Sequence, residues 1–349
     1  MDKKEMLDIL DSDDRRFICE VYKRAYEAKL KYVGGTVYFR GIIEFSNICG
    51  KDCYYCGIRK SNVNVRRFRM PEDEIIETAL FADRNGYGSI VLQAGECRDE
   101  NSVGFVERVV RKIKQKTGGR LGITLSLGEQ SPDTFQRWYD AGAHRYLLRI
   151  ETSNSVLYGR LHPSDHDYAA RLECLDITRN IGYQVGTGVM IGLPYQKNED
   201  LVNDILFFEK YDIDMIGMGP YIVHSNTPVA GAADYDPERN LLLGLKMIAL
   251  ARLRLKDVNI AATTALQALD PQGREEGLKA GANIIMPNIT PVKYRDSYQL
   301  YEGKPCLDEN AAVCMSCLEN RVKSIGEEIG YHKWGDSPHF LKRSRTGGV

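Results

Sequence analysis

From about residue 36 onward, short β-branched or apolar runs alternate with longer amphipathic segments, and this rhythm constrains the fold more than any other feature. The strand candidates are Tyr38–Phe45, Ser89–Gln93, Leu121–Ser126, Arg145–Arg149, Gln184–Met190, Asp214–Gly217, Asn259–Thr263 and Asn283–Met286. Helical patterns are predicted between them at 71–85, 103–116, 131–141, 166–180, 198–211, 236–255 and 272–280. Pro71-Glu-Asp-Glu and Ser131-Pro132-Asp133 read as helix starts, and Gly86, Gly142, Gly182 and Gly281 as helix ends. Alternation of this kind implies parallel strands joined by crossover helices. Eight units in about 250 residues match a (β/α)8 TIM barrel, with a doubly wound open sheet as the rival. Residues 1–35 are expected to form a helical extension, its helix starting at Asp13 or Asp14 and ending near Gly34-Gly35. The barrel is assigned to 36–299, and 300–349 to a C-terminal segment with a short helix near 317–329.

The chain's net charge of -1 leaves no electrostatic footprint for nucleic acid. The run 111–116, Arg-Lys-Ile-Lys-Gln-Lys, reads as a solvated helix face. No apolar run approaches the roughly 20 residues that span a bilayer. The opening Met-Asp-Lys-Lys-Glu-Met lacks the apolar stretch of a signal peptide, so a cytoplasmic protein is expected. Nine cysteines in such a chain argue for metal ligation rather than disulfides. Cys19, Cys97 and Cys174 stand alone and read as small buried or half-buried hydrophobes. His162-x3-His166 lies in a loop with Pro163 and Asp165 and reads as solvated.

The other six cysteines form two groups. Cys49, Cys53 and Cys56 have the spacing C-x3-C-x2-C directly after the first strand, where barrel active sites sit. Three thiolates can hold three irons of a [4Fe–4S] cube and leave the fourth iron open. Structural zinc would need a fourth ligand, and no His or Cys follows Cys56 within 30 residues. The expected guest at the open iron is S-adenosylmethionine (SAM). This is the pattern of radical-SAM enzymes, in which one electron from the cube breaks a C–S bond of the sulfonium and yields a 5′-deoxyadenosyl radical. Tyr55 can lay its ring near the adenine, ordinary packing being the alternative. Cys306, Cys314 and Cys317 give C-x7-C-x2-C, a candidate second centre, [2Fe–2S] or [4Fe–4S], against zinc or bare thiols.

Further motifs are Ile42-Ile-Glu-Phe-Ser-Asn, Val91-Leu-Gln-Ala-Gly-Glu96, Thr124-Leu-Ser-Leu-Gly-Glu129 and Tyr146-Leu-Leu-Arg-Ile-Glu-Thr152. Met190-Ile-Gly-Leu-Pro194, Ala262-Thr-Thr-Ala265, Ile285-Met-Pro-Asn288 and Tyr298-Gln-Leu-Tyr301 follow. From about Arg40 to Gly335 the chain resembles the HydE family, the radical-SAM maturases of [FeFe]-hydrogenase. It departs from the family pattern at Ile150, where His stands, and at Ala94, where Ser can stand.

The resemblance implies SAM contacts from Gln93, the Gly95 backbone, Glu151, Arg171, Met190 and Met215. A guanidinium fork at Arg171 suits the carboxylate of SAM. For both methionines the alternative is core packing. It implies a substrate pocket of Ser126, Arg149, Thr263, Thr264 and Tyr298, with Tyr298 as hydrogen-bond donor or radical relay. The implied substrate is a small iron complex bearing carbonyl, cyanide and cysteine, made by a partner maturase, with ferredoxin or flavodoxin as reductant. It also implies that the second cysteine group is an auxiliary cluster site. Alternatives are a methylornithine-synthase-like or biotin-synthase-like enzyme. A non-catalytic Fe–S carrier is a third reading, against which Glu151, Arg171 and the strand-2 motif argue.

Overall fold

The computed structural model describes residues 1–232, 235–308 and 311–346, the side chains of 311–314 and 346 excepted. Eight parallel strands form a ring: β1 (Thr36–Ser46), β2 (Ser89–Ala94), β3 (Gly122–Ser126), β4 (Arg145–Leu147), β5 (Gln184–Thr187), β6 (Met215–Ile216), β7 (Asn259–Ala262) and β8 (Ile284–Ile285). Closure is made by β8 against β1, with Tyr38 opposite Ile284 and Phe39 opposite Ile285. That pairing excludes the open sheet. Each crossover carries a helix whose apolar face packs on the ring, as with Ile75, Ala79, Val106, Val110, Phe135 and Trp138 against Ile43, Ile90, Leu92 and Leu125. Burying each such side chain contributes roughly 1.5–3 kcal/mol.

Helix starts follow the local chemistry. Asp14 accepts hydrogen bonds from the Arg16 and Phe17 amides to open Arg15–Tyr32, and Ser131 accepts from Thr134 to open Pro132–Asp140. Gly86, Gly142, Gly182 and Gly281 all adopt positive φ, as helix ends require. The N-terminal extension holds two helices rather than one. Lys3–Asp11 precedes, and its Asp2/Glu5 capping box was legible but unread.

Strand candidates four and five ran too long. β4 stops at Leu147, and β5 stops at Thr187. A Cβ at Gly188 would fall on the Gly217 carbonyl, so two backbones touch there. Met190–Ile191 then pairs separately with Gly219–Pro220. The helix expected near 317–329 is Ala311–Ser324, after which β9 (Glu328–Ile329) pairs with the start of β1 and a C-terminal helix, Pro338–Thr346, follows. The residues between β9 and that helix run beneath the ring, where Arg145 Nη2 donates to the Trp334 carbonyl at 2.6 Å.

Strand periodicity fixes what faces the lumen. Arg40, Val91, Thr124, Leu147, Met215, Asn259 and Ala261 line one internal layer. On the same face, two residues beyond Val91, Thr124, Leu147 and Ala261, stand Gln93, Ser126, Arg149 and Thr263 at the C-terminal mouth, and Glu44 stands four residues beyond Arg40.

Candidate active site at the barrel mouth

The cysteine loop leaves β1 and is built by its own backbone. Arg67 gathers it: Nη1 donates to the carbonyls of Asn47 and Ile58, each at 2.7 Å, and Nη2 to that of Arg59 at 2.6 Å. Asn47 Nδ2 donates to Arg66 O at 2.8 Å and Ser297 O at 2.5 Å. Gly95 abuts the loop closely. A Cβ there would fall on the Ile48 carbonyl and lie 2.7 Å from Cys49 Cβ, so the space beside this glycine belongs to the cysteine loop itself. The Lys51 and Glu96 amides donate to Cys49 Sγ at 3.4 and 3.3 Å.

Burial pushes the Cys53 thiol up to about 12 and the Cys56 thiol well above its ordinary range, and the charges of the three sulfurs bear on one another. Ligation to iron reverses that cost by replacing the proton. Among the described residues no three His, Cys, Asp or Glu side chains converge on a single-ion position. Ligands of a cube need not converge, because each binds its own iron. Three thiols on one loop with amides aimed at one of them fit such a cluster.

The histidine pair is buried, contrary to the solvated reading. His166 Nε2 accepts from the Asp52 amide at 3.0 Å, and the Tyr54 amide donates to Leu161 O at 2.9 Å. His162 Nδ1 lies 2.9 Å from the Tyr158 carbonyl, which can only accept, so Nδ1 carries the proton and Nε2 accepts from the Tyr55 hydroxyl at 3.3 Å. Burial drives His162 down to about 3, keeping it neutral. Both rings therefore brace the cysteine loop. Tyr55 stands edge-on to His162, and both Tyr55 and Met190 pack against the buried cluster of Leu157, Leu161 and Leu193. Of the lone cysteines, Cys174 is buried and Cys97 half-buried as expected, while Cys19 is exposed.

Glu151 follows β4 with φ of 65°, a strained value for a residue with a side chain. Its Oε2 lies 3.0 Å from Arg149 Nη2 and makes no aligned hydrogen bond. Arg171 reaches the same mouth from the helix Tyr168–Ile181: Nε donates to Glu129 Oε1 at 2.8 Å and Nη1 to Arg149 O at 2.9 Å. Glu129 Oε2 also takes Lys51 at 2.8 Å and Arg98 at 2.7 Å. Burial opposes the Glu129 charge, but Arg171 and Lys51 outweigh it and hold the carboxyl below its ordinary range. Glu96 joins by accepting the Glu129 amide at 2.8 Å. Both glutamates end quoted motifs, which was the available signal, yet no role was read for them.

Deeper in the mouth, Gln93 Nε2 donates to the Tyr298 hydroxyl at 3.3 Å. Ser126 is in register beside Gln93. Thr263 Oγ1 is buried with no hydrogen-bond partner among the described residues, whereas Thr264 Oγ1 accepts from Arg274 at 2.9 Å. Lys304 pairs with Glu44 beside the Tyr298 ring, a contact that sequence reasoning missed. Met215 is not brought to the rim. Its sulfur lies 3.0 Å from Arg40 Nη1 one lumen layer down. In the second group, Cys306 is half-buried and Cys317 exposed, and the Cys314 side chain lies outside the described residues.

A model of the Radical SAM superfamily matches residues 43–208. The chain is 44% identical over 333 residues to the [FeFe] hydrogenase maturase subunit HydE of Thermotoga maritima, across 95% of this chain and 93% of that protein. It is 27% identical over 290 residues to 3-methylornithine synthase of Methanosarcina barkeri, across 81% of this chain and 78% of that one. The crystal structure of methylornithine synthase (PylB) superposes with a TM-score of 0.81 at 23% identity, across 95% and 94% of the two chains, a likeness of fold.

A closed barrel with three clustered cysteines at its mouth defines a radical-SAM enzyme, which works with a [4Fe–4S] cluster and SAM. Within that superfamily, the chain belongs to the HydE family of [FeFe]-hydrogenase maturases. No described helix is long and apolar enough to cross a membrane.

Proposed function

We propose that this enzyme acts on a small mononuclear iron complex bearing carbonyl, cyanide and cysteine, supplied by a partner maturase, and releases a form able to pair into the diiron precursor. The observation that carries the reading is identity of 44% with HydE over nearly the whole chain. When bound, the cluster and SAM supply reductive C–S cleavage and a 5′-deoxyadenosyl radical.

The chain's own residues bind and orient. Glu151 offers its carboxylate to the ammonium or ribose of SAM at the rim. Arg171 is held by Glu129 and the Arg149 carbonyl, and its Nη2 makes no hydrogen bond among the described residues. That nitrogen is available to the SAM carboxylate. Tyr55 and Met190 wall the nucleoside, and Met215 supports the floor from one layer below. Burial keeps the Tyr298 phenol protonated. With Gln93 donating to its oxygen, its own proton is free for a cyanide or carbonyl oxygen of the substrate. Arg149, Ser126, Thr263 and Thr264 complete the polar pocket, and the Lys304–Glu44 pair closes the side of the mouth against water.

Cys306, Cys314 and Cys317 hold a second Fe–S centre on this reading, remote from the reacting bond. The reductant is a ferredoxin or flavodoxin, and the enzyme works in the cytoplasm. The test pairs reconstituted enzyme, dithionite and SAM with a synthetic iron–carbonyl–cyanide–cysteine complex. Expected is 5′-deoxyadenosine formation with consumption of the complex, both abolished by Cys53→Ser. Fully active hydrogenase in a strain lacking the gene would overturn the reading.

A further inference from the structure

The stretch from Asn47 to Arg69 carries six cations and one carboxylate in a chain whose net charge is -1. Some of these charges are used internally. Arg67 is spent on loop carbonyls, Arg59 pairs with Asp52 at 2.9 Å, and Lys51 pairs with Glu129. Lys60 and Arg66 are exposed and form no ion pair among the described residues, and Arg69, also exposed and without an ion pair, donates to Ser102 Oγ at 2.8 Å and lies over the Phe105 ring. Between Lys60 and Arg66 in sequence stands Val63, 90% exposed, the most exposed large hydrophobe of the described residues. Ile48, next to Cys49, is also exposed at 38%. Isolated exposed apolar side chains are ordinary, but an apolar tip flanked by unpaired cations has the make-up of an interface: a small apolar contact within a charged rim.

From this we propose that the outer face of the cysteine loop, with Val63 and Ile48 as apolar contacts and Lys60, Arg66 and Arg69 as cations, docks an acidic one-electron carrier protein. The inference rests on the proposed SAM chemistry and names the partner of that same site. Charge complementarity commits the occupant: a like-charged partner would be repelled here, and an acidic one is steered in. Position supplies the reason. Electron transfer weakens steeply with distance, and this loop is the protein layer that carries the three cysteine ligands. One electron leaves the reduced carrier and enters the cluster that the cysteines hold; the carrier is oxidised by one unit and no proton need move.

The test measures binding of an acidic ferredoxin to the cluster-loaded full chain by titration calorimetry at two salt concentrations. Lys60→Glu/Arg66→Glu and Val63→Ser are compared with the unaltered chain. None of these residues touches SAM or substrate, so dithionite-driven SAM cleavage is expected to stay unchanged and reports intact folding. Expected are a fall in affinity of tenfold or more for the double charge reversal, with a weaker salt dependence, and a smaller fall for Val63→Ser. Ferredoxin-driven cleavage falls in parallel. No binding by the unaltered chain, or equal binding by the charge-reversed one, overturns the docking surface. Loss of dithionite-driven cleavage in the unaltered chain overturns the SAM reading instead, and the binding arm still decides the surface.

Discussion

At the scale of single residues, the site depends on small groups that let larger ones meet. Gly95 matters because the cysteine loop occupies the place of its missing side chain. In Gly95→Ala the new methyl meets Ile48 O and Cys49 Cβ, both tied to backbone, so no flexible side chain can yield. Overpacking of this kind costs about 1–3 kcal/mol. The expected result is a lower unfolding midpoint together with fewer irons bound per chain after reconstitution. Full iron occupancy with unchanged stability would show that the loop shifts freely. The same scale separates what the motifs revealed from what they hid. Arg171 was legible as a SAM contact only through the family resemblance, because Arg160 and Arg179 also follow the Glu151 motif and spacing does not single one out. Its holder Glu129 was not, because a glutamate ending a strand motif looks the same whether it binds ligand or another side chain. His162 and His166 were misread because a Pro- and Asp-containing loop usually faces water; here two imidazoles accept hydrogen bonds from the cysteine loop.

At the scale of elements, the C-terminal helix Pro338–Thr346 is pinned to the barrel by a titrating group. His339 lies between Asp257 at 3.2 Å and Asp212 at 2.6 Å, while Lys342 and Arg343 reach Asp257, Asp212 and Asp214. Its hydrogen bond to Asp257, with that to Asp212, raises His339 from 6.5 to about 8. A raised histidine stabilises fully below its unfolded value and ceases to do so as pH climbs through the folded one. Asp257 is pulled down to about 2, burial opposing and His339 and Lys342 prevailing, so its share is lost only in acid. Amide protection factors across this helix are therefore expected to fall between pH 6.5 and 9, and to stay level in His339→Gln. A flat profile in the unaltered protein would refute the pin. This helix was invisible in the sequence because Pro-His-Phe-Leu-Lys-Arg-Ser-Arg has a weak apolar stripe, and its anchors lie far back in the chain, Asp257 82 residues and Asp212 127 residues before His339. Several barrel strands were visible for the opposite reason: residues 90–92, 123–125 and 260–262 are buried and read as short β-branched or apolar runs. Their ends were blurred at Gly188, where the limit is a backbone contact with Gly217 and not a side-chain pattern.

At the scale of the whole molecule, the two ends of the barrel divide the work. The mouth holds cysteines, Glu151, Arg171 and Tyr298, while the base is closed by the C-terminal segment. There Arg145 is fully buried, with Nη2 2.5 Å and Nε 3.1 Å from Asp336 Oδ1, and Gln184 Nε2 donates to the same oxygen at 2.8 Å. Arg40, also buried, donates to the Gly335 carbonyl at 3.1 Å and faces no carboxylate in direct contact. Asp336 is thus the anion that two buried guanidiniums share. Asp336→Ala removes it and leaves both in a dry interior, a change that costs about 3–5 kcal/mol when a buried pair loses one partner. Asp336→Asn keeps an acceptor for Gln184 and Arg145 and removes only the charge, so its loss is expected to be smaller. Because barrel enzymes place chemistry at the C-terminal ends of their strands and stability at the other, the KM for SAM of the folded fraction should not move in either variant. Urea unfolding and SAM kinetics on the same preparations separate the two effects. A KM that rises with the fall in stability would show that base and mouth are coupled through the lumen, where Arg40 touches Met215.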